Sequence, residues 1–362
     1  MALEGYGSNS AHRLYERALS LCRKLHRPVD APILRGLGLA RLQGCRFDDC
    51  SELGQALLDD ERHDPIASTE GRYLLGVSAF WRGDLAMARH YLEGAIEAYD
   101  VSRRDEHLAL YAQDPKAVCL VRLAWVDLWA GDAGRANETA RSALEITVDL
   151  DHLMTLGYVT TYAAIIAAES EDLPHLAELL GDAELLWKRL SERYLIVVLE
   201  AIRGWLEVCE GSPAGIEKIV RSVARSRTDG ETLHLTYCLL LLARARGMAG
   251  ELDQGRAATR EGLSWSHRRN QRYLKAELWR VDGELAYRSG EAEVAAASLR
   301  NAVELASQQG AGWLELRALH SLASRFPDQT VREQLGDLVE NIPSGHDLPA
   351  FRAATDLLSE RG

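Results

Sequence analysis

The sequence predicts an all-α protein, a right-handed superhelical solenoid of about seven to eight helical hairpins with terminal capping helices. Three observations carry this. Ala, Leu, Arg and Glu, all good helix formers, dominate a chain of 362 residues with only four Phe and nine Pro and no alternating Val/Ile/Thr runs. Turn signals recur near Cys45, Gly83, Gly131, Glu171, Gly211, Gly250 and Gly290, at intervals of 38, 48, 40, 40, 39 and 40 residues. Small residues also recur at fixed places within the hairpins, where close helix approach needs them.

The elements follow in order. Residues 1–10 are small, polar and Gly-rich, and are expected to fray. Ala11–Arg27 is an amphipathic helix ended by Pro28. It reads as the second half of a hairpin whose first half is missing, so the chain is expected to begin inside a longer array. Leu37-Gly38 with Cys50 marks the first complete hairpin, and Leu75-Gly76, Gly83-Asp84, Ala88 and Ala95 the second. The 48-residue interval holds an extra segment, Asp100–Pro115. Its Asp114-Pro115 disfavours helix at the preceding residue and suits the opening of the next helix. Leu123-Ala124, Gly131-Asp132, Ala136 and Ala143 mark the third hairpin. The hairpins around Glu171 and Gly211 are divergent, although Gly204 keeps the first-helix glycine. Gly283, Gly290-Glu291, Ala295 and Ala302 restore the pattern. Ala311–Arg325 is one more first helix. Phe326-Pro327-Asp328 breaks the chain, and Gln329–Asn341 and Asp347–Arg361 read as caps. The organisation expected is a frayed 1–10, a solenoid over 11–325 with an insertion at 100–115, and capping helices over 326–362.

A net charge of −12 argues against wholesale binding to nucleic acid or anionic membranes. The charge is uneven: Phe47–Glu70 holds eight acids and one base, and Arg221–Lys275 eleven bases and five acids. Such a split fits solvated helix faces, or a polarised surface that orients a partner. His267–Arg272 is read as a basic loop, but no aromatic groove or recognition helix accompanies it. Cys22, Cys45, Cys50, Cys119, Cys209 and Cys238 show no framework spacing, which points to reduced core thiols and a cytoplasmic setting. No signal peptide is recognised, and no apolar run reaches about 18 residues.

Motifs for catalysis are missing. The sequence contains no G-x-x-x-x-G-K-[ST], G-x-S-x-G, H-E-x-x-H or Cys-x-x-Cys. His234 and Cys238 share a helix face without a third ligand, so no metal and no cofactor is expected. What remains is a binding surface. Taking the small positions as register, the first helices turn Arg35, Tyr73, Phe80, Trp125, Trp129, Tyr158, Trp205, Tyr237, Arg244, Glu277, Arg280, Glu284, Tyr287 and Arg288 toward the concave face. That list is aromatic early and charged late, and aromatic and Arg side chains are the usual anchors of binding surfaces. Glu284 and Arg288 are also spaced for a helix ion pair.

The hairpins resemble tetratricopeptide repeats. They depart from the chaperone-binding members that clamp a terminal carboxylate with Lys and Asn, since the corresponding positions hold Arg35, Leu39, Tyr73 and Val77. A narrower resemblance rests on Tyr111-Ala112-Gln113-Asp114-Pro115 followed by Cys119, Trp125 and Gly131, and on Glu277-Leu278-Trp279-Arg280 with Gly283-Glu284-Leu285. Over about residues 11–310 these are similar to the C-terminal repeats of bacterial STAND-class signalling proteins. There the repeats follow a P-loop ATPase and an effector such as an adenylate cyclase or a transcriptional activator.

The resemblance implies a cytoplasmic sensor arm in bacterial signal transduction. The expected function is non-catalytic binding of a peptide, protein partner or small effector in the groove, regulating such an ATPase, cyclase or transcription regulator. Tyr111, Gln113 and Asp114 form the motif peculiar to the insertion. The alternative is a scaffold that oligomerises through its repeat ends.

Overall fold

The computed structural model describes residues 9–59, 64–190, 195–228 and 232–360. Within them the chain forms nineteen α-helices, one 3-10 turn and no strand. Helix α1 (Asn9–Lys24) precedes seven hairpins. These are α2 (Ala31–Gln43) with α3 (Phe47–Leu58), α4 (Pro65–Arg82) with α5 (Leu85–Ala98), and, after the insertion, α7 (Pro115–Ala130) with α8 (Ala133–Leu150). Next come α9 (Leu153–Glu169) with α10 (Leu173–Leu190), and α11 (Ile196–Cys209) with α12 (Ala214–Thr228). The last two are α13 (Leu235–Met248) with α14 (Leu252–Arg269), and α15 (Lys275–Arg288) with α16 (Ala292–Gln308). The insertion is a 3-10 turn (Val101–Arg103) and α6 (Arg104–Tyr111). Helices α17 (Gly312–Arg325), α18 (Gln329–Asn341) and α19 (Pro349–Ser359) end the stack.

The expected fraying falls outside the described residues up to residue 8, and Asn9 and Ser10 are already helical. The basic loop is corrected: α14 runs through His267 and the two arginines after it, and turns left-handed only at Asn270. Basic side chains suit that last turn, where the helix dipole is negative.

The small positions let helices touch. A Cβ added at Gly76 would stand 2.8 Å from Leu92, and one at Gly283 2.7 Å from Leu299. Ala88, Ala95, Ala136, Ala143, Ala295 and Ala302 are buried opposite. Gly83 ends α4 in the left-handed region at φ 80. Cys45 and Glu171 occupy the same region, at φ 54 and 61, in two turns where no glycine takes the left-handed position. A side chain there costs backbone energy that glycine avoids.

Early and late repeats meet, so the superhelix closes on itself. The Arg272 amide donates to the Trp81 carbonyl at 2.9 Å, and the Gln309 side chain donates to the Arg272 carbonyl at 3.0 Å. The Gly134 amide donates to Ser344 Oγ, whose hydroxyl donates to Asp132, each at 2.6 Å. The Thr232 hydroxyl donates to the Gln43 carbonyl at 3.2 Å. Asp48 and Asp49 line one cleft of about 310 Å³ with Arg268 and Arg269. Part of the acidic stretch and part of the basic stretch therefore face each other inside the chain.

Candidate functional site

Closure turns the early half of the inner surface into core. Arg122, 1% exposed, lies with its guanidinium carbon 4.5 Å from the Tyr162 ring centre, 5.0 Å from those of Phe80 and Trp81, and 5.6 Å from that of Trp125. Tyr273 packs edge-on to Trp81 at 4.4 Å and to Trp125 at 5.6 Å. His234 Nε2 lies 3.1 Å from the Tyr162 hydroxyl, and burial followed by the Arg122 charge pushes its imidazole down to about 3. Tyr73, Phe80, Trp125, Trp129, Tyr158 and Tyr237, expected along an open groove, are all buried. In the closed superhelix their rings pack on one another instead of lining an open surface.

The insertion motif joins this core. Arg35 donates to Glu70 at 3.0 Å and to Gln113 at 2.8 Å, with its guanidinium over the rings of Tyr111 and Tyr73. Glu70 also meets His107 Nδ1 at 3.2 Å. Asp114 caps α7 by accepting from the Ala117 amide at 2.9 Å, and its other oxygen accepts from the Tyr99 hydroxyl at 2.6 Å. Tyr111, Gln113 and Asp114 are buried, and the structure gives them a local bracing role.

The late half differs. Five of the expected residues, Trp205, Arg244, Arg280, Glu284 and Arg288, line one solvent-open pocket of about 230 Å³. They come from α11, α13 and α15, and α17 adds Arg317. Glu277 lies beneath, its side chain fully buried. It holds Arg280 at 2.6 Å, Arg244 at 2.8 Å and Arg317 at 3.1 Å. Glu169, also buried, takes Arg244 at 3.0 Å and Arg317 at 3.4 Å. The rim is looser. Arg288 is exposed and donates to the Gly247 carbonyl at 2.7 Å, while Glu284 pairs with Arg325 at 3.1 Å. The anticipated Glu284–Arg288 ion pair is replaced by these two contacts. Tyr287, 37% exposed, packs edge-on against Phe326 outside the pocket.

The charges follow from the geometry. Burial alone would raise the Glu277 carboxyl, but Arg280, Arg317 and Arg244 outweigh it and hold it well below the usual carboxylate range. Burial pulls the Arg317 guanidinium down; Glu277 opposes this and the neighbouring arginines add to it. The two carboxylates hold Arg244 up against its own burial. Arg317 and Glu169 were missing from the expected groove. Arg317 had a readable signal, being the sixth residue of α17 as Arg280 is of α15. Glu169 had none, because it ends a helix in a divergent repeat.

Among the described residues no group of three or more His, Cys, Asp or Glu is placed to hold a metal. His234 and Cys238 are buried packing residues. Burial pushes the Cys45 thiol up to about 11 and that of Cys50 to about 12, away from nucleophilic thiolate. No described helix is long and apolar enough to cross a membrane.

No known family's sequence profile matches the chain. An uncharacterized protein of Rhizobium meliloti (strain 1021) is 25% identical over 331 residues, covering 88% of this chain and 31% of that protein. The chain thus spans about a third of the curated relative's length. Among solved structures, a Rap protein complexed with Competence and Sporulation Factor superposes with a TM-score of 0.61 at 15% identity. That likeness covers 97% of this chain and 95% of the other. Human IFIT1, a dimer with m7Gppp-AAAA, gives a TM-score of 0.51 at 14% identity over 96% of this chain and 77% of its own. A signal transduction ATPase with numerous domains from Pyrococcus horikoshii, which carries a tetratricopeptide-repeat sensor, reaches only 0.46 at 11% identity. It covers 87% of this chain and 48% of its own, and at that score lends no weight. At these identities likeness speaks for fold alone: the chain has the fold of a helical-repeat solenoid, similar to that of tetratricopeptide repeats.

Proposed function

We propose that the chain is a non-catalytic sensor and interaction module. It takes a peptide, protein segment or small effector at the arginine-lined pocket, and occupancy is passed to a signalling ATPase, cyclase or transcription regulator. The observation that carries this reading is the meeting of Trp205, Arg244, Arg280, Glu284 and Arg288 at one solvent-open pocket. Free thiols at all six cysteines support a cytoplasmic setting.

Calorimetric titration of the chain with peptide and effector libraries tests it. Binding that disappears in Trp205→Ala supports the site, and binding indifferent to that change removes the pocket from the proposal. A second reading, self-association through a repeat end, is favoured by Leu14, Leu21 and Leu25, which are 54%, 48% and 64% exposed at the α1 end. Sedimentation velocity decides it: a sedimentation coefficient independent of concentration rejects the scaffold.

A further inference from the structure

We infer that this pocket binds an oxyanion attached to a small apolar body, a carboxylate or a phosphate monoester; the inference rests on the pocket being the ligand site. The floor is the first argument. Three guanidiniums, Arg244, Arg280 and Arg317, share only two buried carboxylates, Glu169 and Glu277. A buried charge without a full counter-charge is costly, and a third anion is the group that would complete the set. Arg244 Nε is buried without a hydrogen-bond partner.

The rim is the second argument. Arg288 stands exposed at the mouth, where a guanidinium steers and then clamps an incoming oxyanion. The nearby carboxylates do not reverse the sign. Glu284 is occupied by Arg325, and Glu171 lies 3.8 Å from Arg317. Counting all of them leaves five arginines facing four glutamates, which repels a metal cation and favours an anion.

The walls set the body of the ligand. Trp205, Met248, Val281 and Leu285 line the pocket beside the arginines, and the Arg244 guanidinium lies 6.0 Å from the Trp205 ring centre. At about 230 Å³ the space falls below the roughly 300–1,000 Å³ of drug-sized sites. It fits one residue or one small acid. Arginine prefers carboxylate and phosphate because its planar donors match two oxygens at once.

Four probes test this on the full chain by calorimetry: N-acetyl-leucine, N-acetyl-leucinamide, phenyl phosphate and inorganic phosphate. We expect N-acetyl-leucine or phenyl phosphate to bind, with affinity that falls as salt rises. N-acetyl-leucinamide should bind at least about tenfold more weakly than the acid, the loss of one charged hydrogen bond. Whichever of the two organic anions binds more tightly assigns carboxylate or phosphate. Arg288→Glu, an exposed change that leaves the buried ion pairs intact, should weaken the anion about tenfold with an unchanged melting temperature.

Equal binding of acid and amide with phenyl phosphate binding no more tightly than either overturns the inference, as does indifference of the bound anion to Arg288→Glu. Inorganic phosphate binding as tightly as either organic anion overturns the apolar half. The two readings fail separately. A peptide lost in Trp205→Ala but retained in Arg288→Glu sinks the anion and leaves the sensor standing. A peptide indifferent to both changes sinks the pocket itself.

Discussion

Replacing Trp125 with alanine distinguishes a closed interior from an open groove. Trp125 is 0% exposed and has the rings of Phe80, Trp81, Trp129, Tyr162, Tyr237 and Tyr273 within 4.8–6.4 Å of its own. It also forms one wall of the cage around the Arg122 guanidinium. Truncating a buried Trp costs about 3–5 kcal/mol through lost burial and the cavity left behind. Each specific aromatic pair is worth roughly 0.5–1.5 kcal/mol beyond area, so the upper end is expected here. A tryptophan on an open groove would cost only about 0.5 kcal/mol, as other surface positions do. Urea unfolding followed by far-UV circular dichroism reads the difference, since the other seven of the eight tryptophans confuse fluorescence. The expected result is a large drop in midpoint at unchanged slope, with Trp125→Phe falling between mutant and wild type. A Trp125→Ala midpoint within error of wild type would refute the buried reading.

Three further outcomes follow from the same geometry. Glu277→Gln leaves three guanidiniums with one full buried counter-charge and should destabilise by about 3–5 kcal/mol in thermal or urea unfolding. The folded Glu277 titrates below its unfolded value, so its contribution is present above about pH 4.3 and is lost as pH falls further. The wild-type acid limb should therefore be steeper than that of Glu277→Gln. His234 is pushed down to about 3, so between that value and about pH 6.5 the unfolded chain takes up a proton that the folded one refuses. Stability should fall as pH drops through that window, and the His234 ring signals should show no titration between about pH 5 and 8 by NMR. Asp114→Ala removes the α7 cap and should cost about 1 kcal/mol, whereas Asp114→Asn should keep most of it. Hydrogen exchange across α6 and the start of α7 checks both, and equal protection in the two variants would reject the capping role.

Much of the architecture can be read from the sequence because its causes are local. Gly76 and Gly283 sit where a neighbouring leucine needs the room, and Gly83 sits where the backbone turns left-handed. Gln329–Asn341 begins after a capping aspartate and was legible to the residue. The inward direction of Trp125 and Arg280 is likewise local, set by helix register.

What the register does not carry is the distance across the superhelix. That depends on small angles between successive hairpins that add over the whole stack, so the contact of Arg272 with Trp81 has no sequence signature. For the same reason the aromatic half of the inner surface was expected to be open. The arginine pocket was half legible, since Arg244, Arg280 and Arg288 were in the expected set. The pairing of Arg244 and Arg317 with Glu169, and the meeting of Arg280 and Arg317 on Glu277, are decided by which repeats come to face one another.

Closure by the Trp81–Arg272 and Asp132–Ser344 contacts carries a consequence for how such a chain can change. An open solenoid can gain or lose a hairpin and merely grow longer or shorter. Here the arc between the two partners of each contact has a set length, so one hairpin added to it or removed would leave Ser344 facing the wrong helix. Repeat number becomes a fixed dimension, and variation is confined to places outside that arc or to excursions, like the one at α6, that rejoin the path where they left it.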